Sequence, residues 1–416
     1  MIRSSKFAAT DFRAAFPVVF IAAFLAALLP LIVSTAASAQ QPGITDTEIK
    51  FGNIMPYSGP ASALSVTGKV FAAYFDMINE KGGVNGRKLN MISLDDGFSP
   101  PKTVEATRRL VENDNVAFMF GTMGTAPSSA TAKYLNGAKV PHLFLISSAS
   151  KWNEPATQPW LMALPWAPNY IEEAGIEVRY ARSKNPNARF AILYQNDDAG
   201  KDYLRGVKQA LGADADKAIA MASSFEVSDP TVDSQILTLA NTKADVFLIY
   251  SVTPRACAQA VRKAYETGWR PMRFIASGCA NKDTVMVPAG LEAAAGIMSV
   301  VALKPYVPNS NDPGLVAYGD FMKARLPNVD PANFAAGYGY MVAQALVVVL
   351  EQCKNDLSRE SIMAQAANLK DVSLSMLLPG IKLNTSPADY RPIKDGYMVE
   401  FRDNQLAVIS ELLHGS

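Results

Sequence analysis

The chain has 416 residues, two to three times the length of an ordinary domain, so a large core and at least two lobes are expected. Lys plus Arg number 39 and Asp plus Glu 38, a formal net charge of +1 that excludes the basic excess of a nucleic-acid binder. Hydrophobic residues at 49% exclude a disordered chain, and two His with three Cys leave too few ligands for most zinc or iron–sulfur arrangements.

Taken from its start, the chain opens with Arg3, Lys6 and Arg13 before an apolar run from Phe16 to Val33, then the small triplet Ala37-Ser38-Ala39. That order is the pattern of a secretory signal with cleavage after Ala39. An uncleaved anchor is the alternative, since at about 1.5 Å per residue the run reaches roughly 27 Å. The small triplet and Pro30 favour cleavage. Removing 39 residues leaves 377 with a net charge of −1, exported to the periplasm.

Short β-rich runs then alternate with helical patterns. Expected strands are Ile49–Met55, Leu89–Asp95, Val116–Phe120, Leu143–Ser147, Phe190–Tyr194, Asp245–Tyr250, Arg273–Ala276 and Gly296–Leu303. Most are near-continuous apolar runs, as strands covered on both faces should be. Between them Val66, Val70, Ala73, Met77 and Ile78 keep a 3.6-residue spacing, and Pro101 and Pro254 stand where a first helical turn would begin. The alternation predicts βαβ units and parallel sheets. It breaks at Trp160–Asn169, Lys304–Pro313 and Asn384–Pro392, three candidate crossings between two α/β lobes. The apolar stretch Asn333–Cys353 predicts a long buried helix.

Catalytic and nucleotide motifs are scarce. No G-x-G-x-x-G follows a strand, and G-x-x-x-x-G-K-[ST], H-E-x-x-H, C-x-x-C and G-x-S-x-G do not occur. Ser148-Ala149-Ser150-Lys151 matches S-x-x-K without the companion motifs of penicillin-binding enzymes. His142, in an apolar setting, reads as a satisfied structural histidine. Asp95-Asp96 and Asp197-Asp198 could do acid–base work, although helix capping is the commoner use of such pairs. Cys257 and Cys279 are the best-placed pair for one disulfide; three buried thiols are the alternative. What remains is binding architecture. Gly121-Thr122-Met123-Gly124-Thr125-Ala126-Pro127-Ser128-Ser129 follows a strand and opens a helix, and Ser148-Ala149-Ser150 follows the next. Glycines, hydroxyls and a helix start suit a carboxylate, though an ordinary strand-to-helix turn has the same residues.

Ile54-Met55-Pro56-Tyr57-Ser58-Gly59-Pro60, Ile78-Asn79-Glu80-Lys81-Gly82-Gly83-Val84-Asn85-Gly86-Arg87 and Asp95-Asp96 together resemble the leucine/isoleucine/valine-type solute-binding proteins of ABC transporters. Val140-Pro141-His142, Tyr194-Gln195-Asn196-Asp197-Asp198 and Leu378-Pro379-Gly380-Ile381-Lys382-Leu383-Asn384-Thr385-Ser386-Pro387 extend the likeness over the whole mature chain, in order. The resemblance implies an α/β, type I periplasmic-binding fold: two Rossmann-like lobes with parallel-rich sheets joined by three crossover segments. The implied layout is 44–163 with 304–390 in one lobe and 168–300 with 396–416 in the other, with crossovers near 160–169, 300–306 and 385–395. A periplasmic monomer is expected, handing a small solute to membrane permease subunits, with no cofactor, no nucleic acid and no catalysis.

The family's first-lobe ligand loops fall on Ser58-Gly59-Pro60, on Thr122 to Ser128 and on Ala149-Ser150, with Tyr57 a further candidate ligand residue. Thr125 and Ser128 keep the hydroxyls that grip a carboxylate in the family's amino-acid binders, with Ser150 a further one. The second lobe departs from the pattern. Ala199-Gly200, after Asp198, stands where those binders have Tyr-Gly, and Ser251-Val252-Thr253-Pro254 lacks a tyrosine their loop often offers. No acid accompanies Ser277-Gly278-Cys279, where the partner of a substrate ammonium is expected, and a buried ammonium without a counter-charge costs several kcal/mol. An aromatic or hydrophobic carboxylate is therefore favoured, with Trp152, Trp166, Tyr306 and Tyr338 as candidate apolar contacts. A branched-chain or other amino-acid binder is the alternative within the family. The alternative outside it is an exported α/β enzyme working through Ser148 or Asp198.

Overall fold

Glu48–Met55 (β1) starts half-covered and ends buried on both faces, the signature of a strand running into the centre of a sheet. In this computed structural model, which describes residues 41–415 together with Ser4, Ser5 and Ala8, the expected leader and its cleavage point lie outside the described residues. β1 pairs in parallel with Lys88–Asp95 (β2), in register from Glu48–Lys88 to Met55–Asp95, and with Met119–Phe120 (β3). His142–Leu145 (β4) and Leu161–Ala163 (β5) complete a five-stranded sheet of order β2-β1-β3-β4-β5. The helices Val66–Glu80 (α1), Pro100–Arg108 (α2) and Thr125–Gly137 (α3) make the connections, with prolines in the first turn of α2.

The strand expected at Val116–Phe120 is regular only over Met119–Phe120, although Ala117 N donates to Lys50 O at 2.8 Å and Phe118 O accepts from Gly52 N at 2.9 Å. The Arg359 guanidinium takes the carbonyls of Val116 and Ala117 at 3.0 and 2.8 Å. β5 was hidden by its brevity and its flanking prolines.

After the first crossover, Asn169 caps Tyr170–Lys184 (α4), its side chain accepting from the amides of Ile171 and Glu172 at 3.0 and 3.1 Å. A second sheet follows. Its chain order is Phe190–Gln195 (β6), Asp198–Leu211 (α5), Ile219–Phe225 (β7), Asp233–Asn241 (α6), Val246–Tyr250 (β8), Pro254–Glu266 (α7), Met272–Ile275 (β9) and Ile297–Val301 (β10). The chain then returns to the first lobe as Pro313–Arg325 (α8), Phe334–Cys353 (α9) and Arg359–Ala366 (α10). Asp395–Arg402 (β11), Gln405–Val408 (β12) and Leu413–His414 (β13) cross back, giving the order β12-β11-β10-β9-β8-β6-β7 with β13 beside β11. β11 runs antiparallel to β10 because it arrives through the third crossover and not through a covering helix. β7 escaped the sequence reading: as an edge strand rich in Ala and Ser it has neither a fully apolar run nor strong β-propensity.

Helix α9 forms as its residues predict, with Asn333 as cap accepting from Ala335 N at 3.0 Å. It is long and apolar enough to span a membrane, yet it is buried in the first lobe. Truncating its fully buried Leu346 to Ala should cost about 2–5 kcal/mol. Cys257 and Cys279 form a disulfide tying the first turn of α7 to the loop after β9, and Cys353 is buried and free.

Candidate functional site

In parallel α/β sheets the loops at the carboxyl ends of strands converge where the connections change direction, and ligands bind there. In this protein those ends belong to β1, β3 and β4 in the first lobe and β6, β8 and β9 in the second. The two sets meet. Ser150 N donates to the Asp202 carboxylate at 2.6 Å, and Lys151 Nζ reaches Asp198 Oδ2 at 2.9 Å and Ser129 Oγ at 3.0 Å. Near the second crossover Asn281 Nδ2 donates to Asn333 Oδ1 at 3.0 Å, joining the caps of two helices across the lobes.

On the first lobe, Gly124 opens α3 at φ +102, and a Cβ there would lie 2.4 Å from the Phe98 ring. Only glycine fits. No side chain caps the first turn of α3, so the amides that begin the helix have no side-chain acceptor. Around this start, Thr125 Oγ1 and Ser147 Oγ are 2.6 Å apart, and Ser147 Oγ also accepts from Trp152 Nε1 at 2.8 Å and Ala149 N at 3.2 Å. Thr122 Oγ1, Ser128 Oγ and Ser148 Oγ are buried without any hydrogen-bond partner. A buried hydroxyl left unpaired costs about 1–3 kcal/mol, so three around one helix start mark a place built for something else. Ser147 to Ser150 and Trp152 also border a void of ≈ 30 Å³ against the third crossover.

The strand-end loops of the second lobe bond mainly to groups of their own lobe. Ser277 donates from both its amide and its hydroxyl to the Glu173 carboxyl, at 2.6 and 3.0 Å. Thr253 Oγ1 and Ser251 Oγ are 2.9 Å apart, and Gln195 Oε1 accepts from Val252 N at 3.3 Å. Asp197 caps α5 through Gly200 N at 2.9 Å, and burial raises its carboxyl above the usual range. Ala199 is fully buried beneath that turn. One helical turn beyond Glu173, Glu177 accepts from the Tyr203 hydroxyl, and Tyr203 and Tyr170 both pack on Tyr250 at 5.0 Å. Burial raises the pKa of both glutamates, and their closeness raises that of Glu177 further.

The residues singled out in the sequence thus fall into three groups. Thr122, Thr125, Ser128, Ala149, Ser150 and Trp152 lie on the first lobe's strand-end loops, from which Ser150 N and Lys151 Nζ reach Asp202 and Asp198 of the second, while Ala199, Thr253 and Ser277 follow the second lobe's strands β6, β8 and β9. Tyr57 and Ser58 lie beside the mouth but are bonded, Tyr57 to Ser93 at 2.6 Å and Ser58 Oγ to Asp95 at 2.6 Å. Trp166 is buried at the first crossover, 4.2 Å from Tyr338 and packed over Gly278. Tyr306 stands apart, packing on Tyr318 at 5.8 Å beside a separate ≈ 280 Å³ pocket at the second crossover.

Ser148 and Glu173 stand out in the structure in ways the sequence did not show. Ser148 was met as part of the second strand-end turn and of a weak S-x-x-K match, with nothing to mark its hydroxyl as unpaired, and Glu173 lies 104 positions from the serine it serves. His142 is buried with neither ring nitrogen hydrogen-bonded, so the expected satisfied histidine is an unsatisfied one. Burial pushes its pKa down to about 3. It begins β4, at the end of the strand away from the cleft. Among the described residues no cluster of three His, Cys, Asp or Glu side chains is arranged to hold a metal ion.

A family model described as Periplasmic binding protein matches residues 48–405. The chain belongs to the type I periplasmic binding protein family. This binding protein is 24% identical to the Leu/Ile/Val-binding protein homolog 7 of Brucella suis over 260 residues, 60% of this chain and 63% of that one. It therefore spans less than two thirds of that relative's length. Its fold is that of a branched chain amino acid ABC transporter protein from Thermus thermophilus with bound valine, at TM-score 0.77 and 13% identity, covering 89% and 97% of the two chains. A fatty acid ABC transporter substrate-binding protein from Thermomonospora curvata shares it at TM-score 0.72 and 20% identity, covering 90% and 94%.

Proposed function

We propose that this chain is the periplasmic solute-binding component of an ABC importer, exported by cleavage after Ala39, and that its interlobe cleft takes a small organic acid with an aromatic or hydrophobic body. The observation that carries this reading is the trio of unpartnered hydroxyls, Thr122, Ser128 and Ser148, around the uncapped start of α3. Such a group accepts an anion without first breaking an internal bond. The first lobe captures the carboxylate, the second closes over it through contacts such as Ser150–Asp202, and the closed form is presented to permease subunits. No residue of this cleft is set up to make or break a covalent bond, and the protein acts as a monomer that binds and releases.

The energies are of the right size. An apolar body burying on the order of 150 Å² gains about 4 kcal/mol, and micromolar affinity needs roughly 8 kcal/mol. Hydrogen bonds to a charged carboxylate at about 1.5–3 kcal/mol each supply the remainder. Valine and fatty acid names among proteins of this fold indicate that the scaffold accommodates both ligand types, so the side chains decide.

Glu173 supports a second reading, an amino-acid ligand, because it brings a carboxyl to Ser277, where an ammonium partner was missing from the sequence. Both its oxygens are already engaged by Ser277 and it is fully buried, which favours the acid over the amino acid. A thermal-shift screen of residues 40–416 with benzoates, phenylpropanoids and Leu, Ile and Val separates them. A ligand at 100 times its Kd adds about 2.7 kcal/mol of stability. The acids are expected to shift the melting temperature; a shift from Leu, Ile or Val alone would overturn the preference.

A further inference from the structure

The mouth of the cleft has a character of its own. A cavity of ≈ 550 Å³ opens between Gly59, Pro60 and Ser62 of the first lobe and the Arg255–Gln259–Arg262 face of α7 in the second. The spacing of four and three residues puts these side chains on one stripe of the helix. The Arg255 guanidinium donates only to backbone carbonyls of Val227, Asp229 and Pro230, and that of Arg262 only to Pro288 O. No ion pair among the described residues involves either arginine, and no Asp or Glu lines the cavity. Two uncompensated cations therefore border one opening. Guanidinium groups are built to take carboxylates in paired, charge-assisted hydrogen bonds.

This mouth adjoins the hydroxyl cradle. Gly59, at φ +78, lies against Gly97 O, and the next residue, Phe98, packs on Gly124 at the start of α3. On the other lobe Thr253 directly precedes Pro254, the first residue of α7 and part of the cavity wall. A ligand held at one end by Thr122, Ser128 and Ser148 would extend toward Arg255 and Arg262.

We propose, on the reading that the cleft takes an organic acid, that the ligand class is a dicarboxylate or other elongated dianion. One carboxylate sits on the first-lobe hydroxyls and the second is met by Arg262 and Arg255 at the mouth. The arginines thereby select for a second negative charge at the far end of the ligand body. A monoacid leaves them facing water.

Calorimetric titration with matched pairs, benzoate against terephthalate and hexanoate against adipate, tests this. Wild type should bind a diacid about tenfold or more tightly than its monoacid partner, and added salt should narrow the gap. Arg262→Gln should erase the preference while leaving the monoacid affinity unchanged, and Arg262→Lys should restore part of it. Arg255 also holds the 227–230 turn, so Arg255→Gln is read only alongside its melting temperature. Equal affinity for mono- and diacids in wild type, or a preference untouched by Arg262→Gln, overturns the dianion proposal and leaves the organic-acid reading standing. Binding of Leu, Ile or Val with none of the four acids overturns both.

Discussion

The two lobes answer the same demand, a polar loop at the end of a buried strand, in opposite ways. In the first lobe, Thr122, Ser128 and Ser148 keep buried hydroxyls with no partner. In the second, Ser277 spends its amide and hydroxyl on Glu173, and Ser251 and Thr253 bond one another. On the proposed reading, that difference separates the gripping loops from the supporting ones. A loop that has satisfied its own groups is a structural wall; a loop that leaves them unsatisfied lowers its stability and gains a grip.

The comparison breaks most visibly by removing the unpartnered set. Thr122→Val, Ser128→Ala and Ser148→Ala together should weaken acid binding by roughly two orders of magnitude or more, at about 1.5–3 kcal/mol per lost bond. The melting temperature without ligand should hold or rise, because no internal bond is lost. Titration calorimetry and a thermal melt read the two effects separately. Removing the disulfide on the opposite lobe, by Cys257→Ala with Cys279→Ala, should do the reverse. A closed segment with a sequence separation of 22 corresponds to about 3 kcal/mol of chain entropy, read as a lower denaturant midpoint. Ser277→Ala should cost about 1–2 kcal/mol of stability by taking one donor from the buried Glu173, with acid affinity little changed.

Two buried titratable groups, His142 in the first lobe and Glu177 in the second, respond to pH in opposite directions. The native His142 imidazole stays neutral to about pH 3, whereas in the unfolded chain it protonates near its ordinary 6.5. Its contribution to stability is therefore complete above pH 6.5 and is lost as pH falls toward 3. His142→Leu should flatten that acid limb. Glu177 has a raised pKa, so its contribution is complete below about 4.5 and is lost as pH rises. Glu177→Gln should raise stability more at pH 8 than at pH 5. The smallest effect is expected at Lys151→Ala. Its contact with the half-exposed Asp198 is screened by water and should be worth under about 1 kcal/mol, read as a faster release of ligand.

Much of this was legible in the sequence because parallel strands buried on both faces leave continuous apolar runs, and because Pro101, Pro254 and Asn333 mark helix starts. Elements that hid did so for physical reasons: β7 is a half-exposed edge strand of small residues, and β11 to β13 follow a crossover and have no helix between them. At the site, the first-lobe loops could be located from glycine and hydroxyl patterns next to strand ends. Which hydroxyls stay unpaired could not, since that depends on Ser147 binding Thr125 and Trp152 while Ser148 binds neither. Glu173 was invisible for the same reason. Its partner comes from a strand end far along the chain, and no local pattern announces the meeting.

In the proposed mode of binding, a carboxylate is gripped by the first lobe's unpartnered hydroxyls. Its most direct test is a titration comparing an acid with its neutral amide, 3-phenylpropionate against 3-phenylpropionamide, in wild type and in the triple hydroxyl variant. The acid should bind at least about 100-fold more tightly than the amide, and the variant should abolish this difference. Equal binding of acid and amide, or an acid preference that survives the loss of all three hydroxyls, would contradict it.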